Sequence, residues 1–316
     1  MLKIKTRKEK IIYLIFGAVL LFSIFLRVYH FDNWLFAKSD QVRDAEVSAQ
    51  TYEKGIGELP LLGPRAGGTS LRLGPAFYYF QYASALLFQR TDLPVSAYPD
   101  LLFSILTIPL FFFFLRKFFS TRLSMALTAI FAFSFLAIEY SRFAWNPNSV
   151  PFFNLLFFYA LLEIFDPEKK KKILWSVVVG IAFAVSTQLH FTSFVALPII
   201  LVLFFIFQRK NITARTFKTF SIFFVSSVLL SYLPVIISDV MMKGDNLREF
   251  FEAVKSKPSN KSFFQKISKE AYFFGKYYFR ILTGYFGSNS KWFYGVWAFI
   301  AGALFQGWRF FIWLLR

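Results

Sequence analysis

Eight apolar runs dominate this chain, each near the length needed to cross a bilayer. They fall at about 11–28, 98–115, 123–140, 149–165, 173–189, 191–207, 217–237 and 292–314. A bilayer's hydrocarbon core takes about 17–25 apolar helical residues to span. Inside lipid, every backbone N–H and C=O must be paired within the protein. Only helices or a closed barrel satisfy that requirement. The runs lack the two-residue alternation of barrel strands, so the expected class is all-α and integral to a membrane. With 56% hydrophobic residues and 47 Phe, the chain carries more apolar surface than a water-facing fold can hide.

The net charge of +18 would suit a nucleic-acid binder, but its placement argues against one. The basic residues sit between the apolar runs. Arg116, Lys117 and Arg122 separate the second and third, Lys169 to Lys172 follow the fourth, and Arg209, Lys210 and Arg215 follow the sixth. Such clusters anchor helix ends at anionic headgroups and mark cytoplasmic loops. No nucleic-acid partner is expected. Lys3, Lys5, Arg7, Lys8 and Lys10 precede the first run, and no small-residue cleavage site follows it. It reads as an uncleaved first span with a cytoplasmic N-terminus in the plasma (inner) membrane. The chain has no cysteine, which removes disulfides and thiolate chemistry.

Helix parity then places residues 28–97 and 238–291 outside the cytoplasm, as two large segments of a single polytopic domain spanning 1–316 with no soluble domain. Counting Pro75–Phe88 as a crossing would move every later basic cluster to the other side. That stretch is short and rich in Tyr, so a re-entrant or interfacial helix is expected there. The 238–291 segment is itself basic, with Lys255, Lys257, Lys261, Lys266 and Lys269. Its aromatic residues at 272–279 favour a basic helix lying on the membrane surface.

The unusual chemistry gathers on the outer side. Asp40 and Asp44 are four residues apart, so on a surface helix they share a face, with Arg43 beside them. Two carboxylates and a guanidinium suit proton abstraction from a hydroxyl next to an anionic group. A solvated helix with a local ion pair is the plain alternative. Residues 61–70 form a Gly-rich loop without nucleotide-binding spacing. Between the third and fourth runs stand Arg142, Trp145, Asn146 and Asn148; Trp suits an interface or a sugar face, and the amides offer paired donors and acceptors. Gln188 and His190 lie between the fifth and sixth runs, where polar groups near lipid must pair or act. Each also has a structural reading, an interfacial turn or a hydrogen-bonded core histidine. Arg72, Tyr78 and Asp239 complete the candidates.

In order, SDQVRDAEVSA, LGPAFYYF, SRFAWNPNSVPFF, STQLHFTS and LPVIISD resemble bacterial GT-C membrane glycosyltransferases. That group includes protein O-mannosyltransferases and lipid A aminoarabinose transferases, and the pattern is most similar to the branch described as RgtA/B/C/D-like. The resemblance covers roughly residues 10–245. It implies inverting transfer of a sugar from a polyprenyl-phosphate carrier to an extracytoplasmic lipid, glycan or protein acceptor. By resemblance Asp40 is the general base, and Asp44 shares that role or orients the acceptor. Arg43, Arg142 or a lysine would hold the lipid phosphate, and His190, with Trp145, Asn146, Asn148 and Gln188, would bind donor phosphate or sugar. No cofactor or metal is expected. Related enzymes continue through further spans or an outer domain, so this chain is expected to be a short member, a fragment or half of a split system. Two rivals remain: a lipid or solute transporter, which would carry repeats and charged helix middles, and an inactive partner built on the same fold.

Overall fold

The computed structural model describes residues 7–33, 35, 37, 39–67, 69–166, 171–255 and 262–283. Twelve helices follow one another among these residues: α1 Arg7–Val28, α2 Ser39–Lys54, α3 Ala76–Phe88, α4 Leu93–Leu115, α5 Thr121–Ala132, α6 Phe135–Glu139, α7 Val150–Phe165, α8 Lys172–Leu189, α9 Phe191–Gln208, α10 Ala214–Met241, α11 Asp245–Lys255 and α12 Phe263–Thr283. The described residues contain no strand, only an isolated antiparallel bridge between Arg65 and Arg72.

Six helical segments are long and apolar enough to cross a membrane: Lys10–Val28, Leu93–Leu115, Asn146–Phe165, Lys172–Leu189, Phe191–Gln208 and Ala214–Met241. Much of their surface is exposed Leu, Ile, Val and Phe, as lipid requires. The protein is a multi-pass membrane protein. The run at 292–314 lies outside the described residues.

The run at 123–140 differs from expectation. It is two short helices, α5 and α6, rather than one span. Arg27, fully buried at the end of α1, explains how the break is held. Its guanidinium donates to the Ala132 carbonyl at 2.9 Å and to the Ser23 carbonyl at 3.1 Å. The Ala132 carbonyl is in the last turn of α5, where helical carbonyls lack an intrahelical partner. Ser134 then takes an extended conformation and starts α6 afresh.

Two compact units emerge. Among the described residues, the first holds those within 7–29, 111–141 and 262–283, and the second those within 30–110 and 142–255. In the first, aromatic contacts join α1 to the end of α4 and to the residue capping α5, with Phe16 stacked on Phe112 at 4.5 Å between ring centroids and Phe22 edge-to-face with Phe133 at 5.7 Å. Here α12 is amphipathic, and Lys269 and Lys276 lie over the rings of Phe273 and Tyr272.

In the second unit α8 is the hub, packed between α7 and α10. Gly180 permits this. A Cβ there would stand 2.6 Å from the Ser227 Cβ and 2.8 Å from the Phe224 carbonyl oxygen of α10. Small residues at such crossings let membrane helices approach until their backbones pack. Phe157, Leu161, Val179, Leu197 and Phe220 fill the core around this contact.

The helix expected at 75–88 is α3. Its 13 residues rise only about 20 Å at 1.5 Å per residue, short of the roughly 30 Å hydrocarbon core. One face, including Phe77, Tyr78, Gln81 and Ala85, is buried, while Leu86, Leu87 and Phe88 are exposed. A second core binds α3 to its neighbours through Phe31, Phe77, Tyr78, Ala97, Ala144, Phe153 and Leu189. Every polar cluster described below borders this core or the loop beside it.

Candidate functional site

The first-loop acids are split by burial. Both lie on α2, Asp40 in its first turn and Asp44 one turn later. Asp40 is 58% exposed, whereas Asp44 is 1% exposed. Arg43 bridges them: Nη1 lies 3.1 Å from Asp40 Oδ1 and Nη2 lies 2.8 Å from Asp44 Oδ1, with Nε also donating to Asp44 at 2.9 Å. From α3, the Tyr78 hydroxyl donates to the same Asp44 oxygen at 3.0 Å. Burial pushes the Asp44 carboxyl above its usual range, against the pull of Arg43 and Tyr78. Burial and the Asp44 charge push the Tyr78 phenol up, while Arg43 and Arg72 pull it down. The result is a fixed carboxylate, Asp44, that holds a guanidinium against an accessible carboxylate, Asp40. One N–H on each terminal nitrogen of Arg43 is left over from these contacts.

The segment before α7 is held from beneath. Asp100, 1% exposed, accepts from the Trp145 backbone N–H at 2.9 Å and from the Ser149 hydroxyl. Asn146 donates to the Leu189 carbonyl at the end of α8, and Asn148 to the Phe143 carbonyl at 2.9 Å. Arg142, 6% exposed, donates to the His30 carbonyl at 2.8 Å, and its guanidinium lies 5.4 Å from the Phe31 ring centre. Burial lowers its pKa. The Arg142 and amide contacts brace the loop, and the half-buried Trp145 stacks beside Phe143.

A hairpin-like loop from Gly63 to Gly74 closes the third cluster. Gly63 N–H donates to the Leu73 carbonyl at 2.7 Å, Leu73 N–H to Pro64 at 2.9 Å and Ala66 N–H to Leu71 at 2.8 Å. Arg72 stays in the loop by donating from Nε to the Gly63 carbonyl at 3.0 Å. Asn246 of α11 grips the Arg72 backbone from both sides, at 3.0 and 3.2 Å. Gly74 packs against Gln188 so closely that a Cβ there would fall inside that side chain. Gln188, 3% exposed, donates to the Ser231 carbonyl of α10 at 3.0 Å. Asp239 accepts from the Leu247 N–H at 3.0 Å and so caps the start of α11. His190 ends α8 and caps α9, its Nδ1 accepting from the Thr192 N–H at 3.2 Å. It lines a cavity of about 270 Å³ with Ala66, Gly67, Thr69, Leu71, Phe191, Thr192 and Ala253.

The structure therefore brings Asp40, Arg43, Asp44 and Tyr78 together, with Arg72 within electrostatic reach of Tyr78. Gln188, Arg142, Asn146, Asn148 and Asp239 serve mainly as braces. Asp100, Ser149 and Asn246 are missing from the sequence-derived set. Asp100 was open to detection, as a carboxylate at the mouth of an apolar run. Ser149 and Asn246 carry no such signal. Among the described residues no group of three or more His, Cys, Asp or Glu converges.

The family model for dolichyl-phosphate-mannose-protein mannosyltransferase matches residues 73–237, just over half of the chain. The chain belongs to this family. The matched residues run from the Gly74 loop through α3 and α4, the Asp100-held segment and His190 to α10. Among solved structures, this mannosyltransferase-family chain is similar to the Archaeoglobus fulgidus oligosaccharyltransferase in its apo form, with TM-score 0.55 and 15% identity, covering 71% of this chain. The same archaeal enzyme in complex with Zn and sulfate gives TM-score 0.56 and 18% identity over 94% of this chain. ArnT from Cupriavidus metallidurans in the apo state gives TM-score 0.54 and 16% identity over 74%. These likenesses give the GT-C fold. The chain spans 29% of the apo archaeal structure's length and 43% of each of the other two. No curated protein matches the chain.

Proposed function

We propose that this protein transfers a glycosyl group from a polyprenyl-phosphate-linked sugar to an acceptor outside the cytoplasm, with inversion. The observation that carries this reading is the division of labour on α2, an accessible Asp40 carboxylate held by Arg43 to the buried Asp44, in a member of the mannosyltransferase family.

In this reading the N-terminus is cytoplasmic and α2 and α3 lie at the opposite surface, as the basic loops favour. Asp40 accepts the proton of an acceptor hydroxyl. The hydroxyl oxygen forms a bond to the anomeric carbon as the bond from that carbon to the phosphate oxygen breaks. The polyprenyl phosphate leaves with the electron pair. The remaining N–H groups of Arg43 receive the charge that grows on it, as charge-assisted hydrogen bonds do best. Asp44 and Tyr78 touch neither partner and set where Arg43 stands.

The test is transfer of labelled sugar from a panel of polyprenyl-phosphate donors in membranes expressing the chain. Activity that needs Asp40 supports the reading. A native chain that is correctly inserted yet inert toward every donor refutes it.

A further inference from the structure

The cavity beside His190 has a lining unlike that of a phosphate site. Among the described residues it is lined by no lysine, arginine or carboxylate. Three backbone donors of the lining are engaged elsewhere: Ala66 N–H with Leu71, Thr69 N–H with Ala66, and Thr192 N–H with His190 Nδ1. The hydroxyl of Thr69 also donates within the loop, to the Ala66 carbonyl at 2.8 Å. Among the described residues, an anion entering here would meet no counter-charge, and three of the amides around it are already engaged.

The lining does suit a neutral, hydroxylated ring. Because His190 Nδ1 accepts from Thr192 N–H, the neutral imidazole carries its proton on Nε2 and is there a donor. Burial favours that neutral form. The hydroxyl of Thr192 adds a group that both donates and accepts, and that of Thr69, its proton spent on Ala66, adds an acceptor. Phe191 supplies an aromatic wall, itself packed on Phe250 of α11 with ring centres 6.3 Å apart. The volume, about 270 Å³, falls just below the roughly 300–1,000 Å³ of pockets that hold drug-sized ligands. It fits one small ring and excludes a prenyl chain with its headgroup.

We infer that this cavity receives the sugar ring of the lipid-linked donor as a neutral ligand, while the lipid phosphate stays outside it. The inference rests on the glycosyl-transfer reading and sharpens it: discrimination among donors lies with the loop residues Ala66, Gly67, Thr69 and Leu71, with His190 to Thr192 and with Ala253, and affinity for the phosphate lies elsewhere.

Binding, measured without turnover, tests it. The purified full chain is titrated with polyprenyl phosphate carrying mannose, glucose, galactose or arabinose, and with sugar-free polyprenyl phosphate. At least one glycosylated lipid is expected to bind about ten-fold tighter than the sugar-free one. Ala253→Phe, which fills the cavity, is expected to erase that difference and leave the sugar-free lipid's affinity unchanged. Thr192→Val, near-isosteric and less prone to misfold, is expected to shrink the difference several-fold. Equal weakening of both lipid classes by Ala253→Phe would mean the cavity holds phosphate or prenyl chain, and would overturn the inference. So would native protein that binds no glycosylated lipid better than the sugar-free one. Tight, cavity-dependent binding without any transfer would instead remove the catalytic reading and keep the cavity assignment. Transfer by Ala253→Phe with the native donor KM would do the reverse.

Discussion

The Tyr78 hydroxyl donates across 3.0 Å to Asp44 Oδ1, so α3 fixes a carboxylate of α2 at the oxygen that also holds Arg43. A hydrogen bond to a charged group contributes about 1.5–3 kcal/mol. Tyr78→Phe keeps the ring in its core and removes only that bond. Thermal unfolding in detergent is expected to show a loss of that order. Turnover is expected to fall more than donor affinity, because Arg43 is then less well placed for the leaving phosphate. A native-like kcat in Tyr78→Phe would remove Tyr78 from the positioning chain.

Asp100 makes a second test of buried carboxylates. It accepts from Trp145 N–H and the Ser149 hydroxyl. Asp100→Ala strands both donors, each at about 1–3 kcal/mol. Ser149→Ala removes one donor and leaves the other paired. The expected order of stability is native, then Ser149→Ala, then Asp100→Ala, read from unfolding midpoints. If Ser149→Ala is the more damaging, the loop is not anchored as described.

The contrast between Asp40 and Asp44 shows what the sequence can reveal. Long apolar runs and their flanking charges announced a helical membrane protein and the short α3, because lipid imposes length and polarity directly. The i, i+4 pair of Asp40 and Asp44 announced a shared helix face. Nothing local distinguished the exposed acid from the buried one, since that depends on Tyr78, 34 residues further on. The break at Ala132 was hidden for the same reason: its partner Arg27 is 105 residues away. Arg142, Asn146 and Gln188 looked like ligand-binding groups by type, yet their partners are distant backbone carbonyls.

Gly74 and Gln188 are expected to be coupled. A methyl group at Gly74 meets only the Gln188 side chain at closest range, and overpacking of this kind costs about 1–3 kcal/mol. Gly74→Ala alone is expected to destabilise the chain. Gly74→Ala with Gln188→Ala is expected to be milder than the sum of the single changes by about 0.5–3 kcal/mol. Strict additivity in a double-mutant cycle would contradict the contact.

His190 gives stability a pH dependence of definite sign. Burial lowers its folded pKa below the ordinary histidine value of about 6.5, so the unfolded chain binds the proton more readily. Stability is then retained above pH 6.5 and falls as pH drops below it. Among the described residues lining the cavity, His190 alone titrates. His190→Asn supplies another good N-cap that does not titrate. Its unfolding midpoint is expected to lose less than the native chain's between pH 7 and pH 5. Parallel pH profiles would contradict a buried neutral imidazole.

The central claim concerns Asp40, and its most direct test is the rate of sugar transfer by Asp40→Asn beside the native chain, with donor binding measured on the same preparations. A general base contributes about 10²–10⁴-fold. The expected result is a loss of that size in kcat with donor affinity kept. Undiminished transfer by Asp40→Asn would contradict the account.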